Sequence, residues 1–404
     1  MQRLLIIGFG MAAARLIQEM RQLDLPFAVT VISEEGAVAY NRILLSSVLA
    51  GSAREEELGL LDESDAGGPL RIVAGQKVVS VDHSARRVTT DKGATYPYDR
   101  LVFATGSSPF LPPVPGINLP GILGFRTQSD LKRIREVAGA GRDAVIIGGG
   151  LLGLEAAHGL RRLDTAVTVI NREDWLMPRQ LDKAGAGVLQ RTLESQYIRF
   201  LLGTTPLAIG RDGNSTYHIT LSSGSSIGAD LLLVAAGITP NLEPAQSSGV
   251  QCQRGIVVNE FMETSIPGVY AIGECCEFDG RTVGLVAPAY EQAAVLAAVL
   301  SGDRHQSFAH RDVPTRLKVS GVEVVSAGPI PFADTCHSQV VEDVRSGIYR
   351  KLAFEGSRLV GYLLVGDSRY SAWYERLRAA GVDISAIRHE MMFGQVVAGL
   401  AAAA

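Results

Sequence analysis

At 404 residues the chain is long enough for about two or three domains, and its 47% hydrophobic and 20% charged content suits a globular protein with several cores. A formal net charge of -4 and the lack of any basic tract argue against a nucleic-acid partner. No run of about 18 apolar residues occurs, which excludes a membrane-spanning helix.

The first predicted strand is the apolar run Leu4-Leu5-Ile6-Ile7. It is too short for the hydrophobic region of a signal peptide and no cleavage site follows, so the cytoplasm is the expected compartment. The run enters Gly8-Phe9-Gly10-Met11-Ala12-Ala13, and a helical pattern follows through Ala14, Leu16, Ile17 and Met20. Gly8 and Gly10 take the first two positions of a Gly-x-Gly-x-x-[Gly/Ala] turn, and Ala13 takes the third. The first glycine permits the tight turn. The second lets the backbone approach a pyrophosphate, and the third small residue packs helix on strand. The helix N-terminus then turns its partial positive charge toward the phosphates. A second strand, 28–33, ends at Glu34, where an acid about 20–25 residues past the turn accepts a hydrogen bond from a ribose 2′-hydroxyl. A tight strand–helix turn needs no ligand, but the strand, the helix and Glu34 together point to dinucleotide binding.

The stretch 98–103 reads as a buried strand running into the small-residue turn Ala104-Thr105-Gly106. The glycine pattern then recurs. Val145-Ile146-Ile147 leads into Gly148-Gly149-Gly150-Leu151-Leu152-Gly153 and a helix that carries Glu155. The next strand, 167–170, ends at Asn171 and Arg172. A counterpart of the 98–106 stretch lies at 231–241, where an apolar run enters a turn at Gly237. Two such units imply two dinucleotides. A strand near 269–272 delivers Gly273 and Glu274 to a sheet edge, where a carboxylate can accept from a sugar-alcohol hydroxyl. A helix with proline in its first turn starts near Ala287 and Pro288. Its free N–H groups would favour a negative charge that develops near them.

Beyond 313 the pattern alternates as strands over 316–325, 348–354 and 359–365, with Glu355-Gly356-Ser357-Arg358 as a hairpin turn. Tyr370-Ser371-Ala372-Trp373-Tyr374 opens an aromatic-rich helix whose rings are expected in a core rather than on a docking surface. The Ala-rich end is expected to fray. The four cysteines, Cys252, Cys275, Cys276 and Cys336, lack C-x-x-C spacing and are expected to be ordinary thiols, and no metal site is expected.

In this order the motifs resemble the two-dinucleotide flavoproteins of the pyridine nucleotide-disulfide oxidoreductase superfamily, which includes glutathione reductase and the ferredoxin and rubredoxin reductases. Four stretches are similar more narrowly to the FAD/NAD(P)H portion of the assimilatory nitrite reductase large subunit and of the nitrate reductase electron-transfer subunit. They are Tyr40-Asn41-Arg42-Ile43-Leu44-Leu45-Ser46-Ser47; Arg179-Gln180-Leu181-Asp182 with Ala184-Gly185; Gly273-Glu274-Cys275; and Gly284-Leu285-Val286-Ala287-Pro288 with Tyr290-Glu291-Gln292. The C-terminal Arg358-Leu359-Val360-Gly361 and Val365-Gly366-Asp367 are similar too.

The resemblance implies an α/β chain of two interleaved Rossmann-like dinucleotide-binding domains plus a small α+β C-terminal interface domain. FAD would bind over 1–112 and 241–312, NADH or NADPH over 113–240, and the interface domain would be 313–404. The first glycine turn, Gly8, Phe9, Gly10, Met11 and Ala12, would carry the FAD. Glu34 would hold the adenosine ribose, Arg42 would lie along the FAD, and Val78 would meet the adenine through its backbone. Ala104, Thr105 and Gly106 would line the pyrophosphate. Gly273 and Glu274 would take the ribityl chain, Ala287 and Pro288 would sit near the flavin ring, and Arg126 is a weaker FAD candidate. Gly148, Gly150, Leu151, Leu152, Gly153, Glu155, Asn171, Arg172 and Gly237 would serve the nicotinamide coenzyme.

Three departures refine this reading. The ferredoxin-reductase branch has a lysine where this chain has Ser47, and that lysine would pair with Glu155. Glu155 must therefore be solvated, face the nicotinamide or find another partner. Asn41 replaces the usual aspartate. The large nitrite reductase subunit continues into iron–sulfur and sirohaem regions, whereas this chain has no cysteine cluster to hold such a group.

Hydride transfer from nicotinamide to flavin is chemistry of the cofactors, so no residue is required as acid or base, and Glu155 is a candidate only for positioning the nicotinamide. Asn171 offers no charge and Arg172 would suit a 2′-phosphate, yet the similar nitrite-type proteins often lack an acid there and resemble NADH enzymes, which favours NADH. No cysteine precedes Cys252. That excludes both a dithiol beside the glycine turns and a peroxidatic cysteine near positions 42–47. Electrons must then leave to a separate acceptor protein: a nitrate or nitrite reductase, or a ferredoxin or rubredoxin of another pathway. A homodimer is compatible with all of this.

Overall fold

The computed structural model describes residues 1–61, 69–213, 216–319, 321–333 and 335–395. The Ala-rich end expected to fray lies outside the described residues. The chain divides into two compact units. One comprises Met1–Leu45, Ala53–Ser108 and Ile238–Arg311; the other comprises Ser46–Ser52, Pro109–Gly237 and Asp312–Ala404.

The first unit is built on a five-stranded parallel sheet in the order Val269–Ala271, Arg100–Phe103, Gln2–Ile7, Phe27–Ser33, Leu70–Ala74. Its inner strands are runs of apolar residues because a parallel sheet is covered on both faces; Leu4, Leu5, Ile6, Leu101, Val102 and Phe103 are fully buried. Helices Met11–Gln22 and Val286–Ser301 pack against each other. Ala13, Ala14, Leu16, Ile17 and Met20 form the buried face of the first, which is the helical stripe visible in the sequence. A three-stranded antiparallel sheet, Val78–Asp82, Arg87–Thr90 and Thr95–Pro97, completes this unit's main elements.

The second unit repeats the plan. Its parallel sheet runs Ile198–Leu201, Ala166–Ile170, Asp143–Ile147, Leu231–Val234. It also contains a five-stranded antiparallel sheet in the order Thr315–Val319, Val322–Ala327, Arg358–Val365, Ile348–Glu355, His337–Asp343. Helix Ser371–Ala380 packs on that sheet. Trp373 and Tyr374 are buried among Phe354, Leu359 and Tyr362, so the aromatics of this helix are core, as expected. The hairpin turn at Gly356–Ser357 also forms, with Gly356 at φ 57°. The expected strand 316–325 is instead two antiparallel strands, because Gly321 at φ 79° turns the chain back.

One carboxylate fastens the parallel part of the second unit to its antiparallel sheet. Asp182 caps helix Lys183–Ser195 by accepting from Gly185 N at 2.9 Å. Its other oxygen accepts from the Tyr349 hydroxyl at 2.8 Å and from Lys351 Nζ at 2.9 Å. Burial disfavours this charge, but those three donors outweigh it and hold the Asp182 carboxyl below its ordinary value.

Candidate functional site

The two glycine turns are near-copies at atomic detail. Gly8 N donates to Ile32 O and Ala104 N to Ile7 O, both at 2.8 Å; Gly148 N donates to Ile170 O and Ala235 N to Ile147 O, again at 2.8 Å. Gly8 and Gly148 have φ values of 101° and 119°. A Cβ on Gly8 would lie 2.3 Å from Ala104 O, and one on Gly148 would lie 2.4 Å from Ala235 O. Only glycine fits either place. The third position differs in tightness. A Cβ at Gly153 would lie 1.9 Å from Gly148 O, whereas Ala13 is accommodated and fully buried.

What distinguishes Gly10 and Gly150 is open space. A Cβ at either would meet nothing within 4 Å. Each is the N-cap of its helix, with no side-chain cap and no acid in the first turn. The leading N–H groups of both helices are thus left for an external acceptor, which is the arrangement that suits a pyrophosphate. Phe9 is buried and Met11 and Ala12 are half-buried beside the first turn; Leu151 is half-buried and Leu152 exposed beside the second.

In the first unit, residues distant in sequence converge behind this turn. Thr105 Oγ donates to Asn241 O at 2.7 Å, and Asn241 Nδ2 donates to Thr105 O at 2.9 Å. These bonds set the Thr105–Gly106 loop, where Gly106 has φ 64° and open space beyond it. Ser107 Oγ donates to Glu274 at 2.9 Å. The turn bearing Glu274 follows edge strand Val269–Ala271 and is fixed by Gln292, whose buried Oε1 accepts from Gly273 N at 2.8 Å. Glu34 is exposed just past strand Phe27–Ser33. Arg42 donates to Glu35 at 2.5 Å and to the Tyr40 hydroxyl at 3.0 Å, and Tyr40 donates to Glu35 at 2.6 Å. Val78 opens its strand at a bulge and is buried. Ala287 and Pro288 lie in the first turn of helix Val286–Ser301, whose N-cap Leu285 provides no side-chain bond.

In the second unit, Glu155 is half-buried on helix Leu151–Arg162. Its partner is the Ser46 hydroxyl. Burial pushes the Glu155 carboxyl up to about 7, and the Ser46 hydrogen bond opposes that rise without cancelling it. Ser46 thus answers the question left by the missing lysine. Asn171 is turned inward. Its Oδ1 accepts from Gly149 N at 3.0 Å, and its Nδ2 donates to Glu173 O at 3.0 Å and Trp175 O at 2.9 Å. It braces the glycine turn and has no amide hydrogen left for a coenzyme. Arg172 is exposed and paired with Glu173 at 2.8 Å. Gly237 is exposed at φ 128°. Arg126 belongs to this unit, where its backbone N–H donates to Asp130 at 3.1 Å in front of helix Gln128–Val137.

Sequence reasoning assigned no role to Ser107, Asn241, Gln292, Glu35 or Ser46. Asn241, Gln292 and Ser46 lie inside stretches that motif reading picks out, but only the fold shows what each one holds. All four cysteines are free thiols. Cys275 and Cys276 are buried, and burial pushes both thiols up, away from the reactive thiolate. Among the described residues no group of side chains could hold a metal ion, and no helix is long and apolar enough to cross a membrane.

Residues 2–293 match the family described as pyridine nucleotide-disulphide oxidoreductase, and residues 314–379 match the rubredoxin NAD+ reductase C-terminal domain. The chain is 40% identical over 371 residues to the assimilatory nitrate reductase electron transfer subunit of Bacillus subtilis, covering 91% of this chain and 48% of that protein. It thus spans about half the length of that curated relative. It is 30% identical to the rubredoxin-NAD(+) reductase of Acinetobacter baylyi, covering 91% of this chain and 94% of the relative. In fold it is similar to putidaredoxin reductase in a crystal structure of its covalent complex with putidaredoxin, with a TM-score of 0.85, 22% identity, and coverage of 95% of this chain and 94% of that one. The two glycine turns, their parallel sheets and these matches agree: the chain belongs to the pyridine nucleotide-disulphide oxidoreductase family.

Proposed function

We propose that this protein is an FAD-dependent NAD(P)H oxidoreductase that passes electrons to a separate redox protein. The observation that carries the reading is the pair of matched glycine turns, each with an uncapped helix N-terminus and open space at its second glycine. FAD would lie over 1–112 and 241–312, NADH or NADPH over 113–240, and 313–404 would be the interface domain.

When bound, FAD supplies the capacity to accept a hydride and release electrons one at a time. The chain's own residues bind and orient. Gly8, Gly10 and the first turn of helix Met11–Gln22 would take the pyrophosphate, with Thr105 and Gly106 on its other side. Glu34 would accept from the adenosine ribose. Glu274, held by Ser107, would accept from the ribityl chain. The N–H groups ahead of Pro288 would favour negative charge at the flavin edge. Gly148, Gly150 and Gly153 would repeat the arrangement for the coenzyme, and Glu155 would position the nicotinamide.

The 40% identity to the nitrate reductase subunit supports an acceptor in nitrate or nitrite assimilation. A second reading, a rubredoxin or ferredoxin acceptor, is supported by the relative matched over 94% of its length. An acceptor of either kind would have the protein act in the cytoplasm, and a homodimer is compatible with this reading. The test is steady-state turnover with NADH and a set of acceptors. Ferricyanide and the native redox protein should be reduced rapidly and low-molecular-weight disulfides should not. Efficient disulfide turnover would refute the reading.

A further inference from the structure

Coenzyme choice in a strand–turn–helix dinucleotide unit is made at the end of the second strand. An acid there suits a free ribose 2′-hydroxyl, and an arginine suits a 2′-phosphate. In the second unit that strand, Ala166–Ile170, delivers Asn171, Arg172, Glu173 and Asp174. Asn171 is 8% exposed and spent on its own loop. The charged residues after it are what a ribose substituent would meet.

Glu173 is set on a fixed backbone. Its carbonyl accepts from Asn171 Nδ2 at 3.0 Å and from Gly203 N at 3.1 Å. Its carboxylate accepts from Arg172 through one oxygen, from Nε at 3.1 Å and Nη2 at 2.8 Å. The pair is exposed and weak in isolation, so its strength is not the point. The charge count is. Arg172 arrives already compensated, and exposed Asp174 leaves the segment 171–174 net negative. A 2′-phosphate would have to draw Arg172 off Glu173 and then lie beside the freed Glu173 carboxylate in a segment that is net negative.

We propose that Glu173 sets coenzyme choice: by engaging Arg172 and adding its own negative charge it disfavours a 2′-phosphate, so the protein uses NADH. This rests on the reading that the Gly148 turn binds the coenzyme. The acid has moved past the strand end, to a position that neutralises the arginine.

The test uses the full-length, FAD-loaded protein and compares kcat/KM for NADH and NADPH with ferricyanide as acceptor. Wild type, Glu173→Gln, Arg172→Gln and the double variant are assayed. Wild type should prefer NADH by about tenfold or more, and Glu173→Gln should move the NADPH-to-NADH ratio toward NADPH by about tenfold. That shift should vanish in the double variant, because it needs Arg172. Inhibition by 2′,5′-ADP, which reports phosphate binding without hydride transfer, should strengthen in Glu173→Gln and weaken again in the double variant. Wild type preferring NADPH, or a ratio and an inhibition both unmoved by Glu173→Gln, would overturn the assignment while leaving the electron-transfer reading intact. Flavin reduced by neither coenzyme would overturn that reading, and this assignment with it.

Discussion

Replacing Glu155 by glutamine should change how the stability of the holoprotein depends on pH. The folded carboxyl sits at about 7 against an ordinary value of 4.5, chiefly through burial. A shift of about 2.5 units corresponds to roughly 3 kcal/mol, and partial solvent access reduces this to about 2 kcal/mol. The sign follows from proton linkage. Between about pH 4.5 and 7 the unfolded carboxyl is ionised while the folded one keeps its proton, so stability falls as pH rises and levels off above 7. Glutamine never ionises and removes this slope. For a chain of 404 residues, about 2 kcal/mol corresponds to some 2–3 °C in Tm. Differential scanning fluorimetry from pH 4 to 8.5, with FAD in excess, should show the Tm difference, variant minus wild type, rising by about that amount across the window and then holding constant. The lost contact to Ser46 offsets the whole curve but not its slope. A difference independent of pH would show that Glu155 is freely solvated and refute the burial argument.

Other substitutions address the remaining links. Gly8→Ala should abolish FAD retention, because its Cβ would lie 2.3 Å from Ala104 O; flavin absorbance after gel filtration reports it. Gly148→Ala should leave FAD content intact but raise the coenzyme KM by about tenfold or more, and loss of FAD from that variant instead would reverse the assignment of the two turns. Asp182→Ala should cost about 2–3 kcal/mol through a lost helix cap and a half-buried ion pair, with Asp182→Asn intermediate, as read from denaturant midpoints. Since the folded Asp182 carboxyl lies below its ordinary value, this stabilisation is present above that value and is lost as pH falls through the folded one.

What the sequence made legible was local. Gly8 and Gly148, their entering strands and their helices are decided within about a dozen residues, where backbone freedom and apolar period leave one reading. The hairpin at Gly356 was legible for the same reason. The support of the site was not. Ser107 reaches Glu274 across 167 positions and Thr105 reaches Asn241 across 136, and only the folded sheet brings them together. Asn171 looked available for a coenzyme because its strand position favours that. The inward turn of its amide depends on Gly149 N and the carbonyls of Glu173 and Trp175. The missing lysine at Ser47 was visible in the sequence, whereas the use of Ser46 by Glu155 was not. A single residue, Gly321, undid one predicted strand because alternation alone does not mark a turn inside it.

Bound FAD would be the one redox centre among the described residues, where all four cysteines are free thiols. Anaerobic titration of the purified FAD-loaded protein with NADH, followed by flavin absorbance, counts the electrons that the protein takes up. Bleaching should be complete after about one equivalent of NADH per FAD, because hydride transfer delivers two electrons and the four free thiols take up none. An end point near two equivalents would reveal a second two-electron centre such as a disulfide, and would contradict the account.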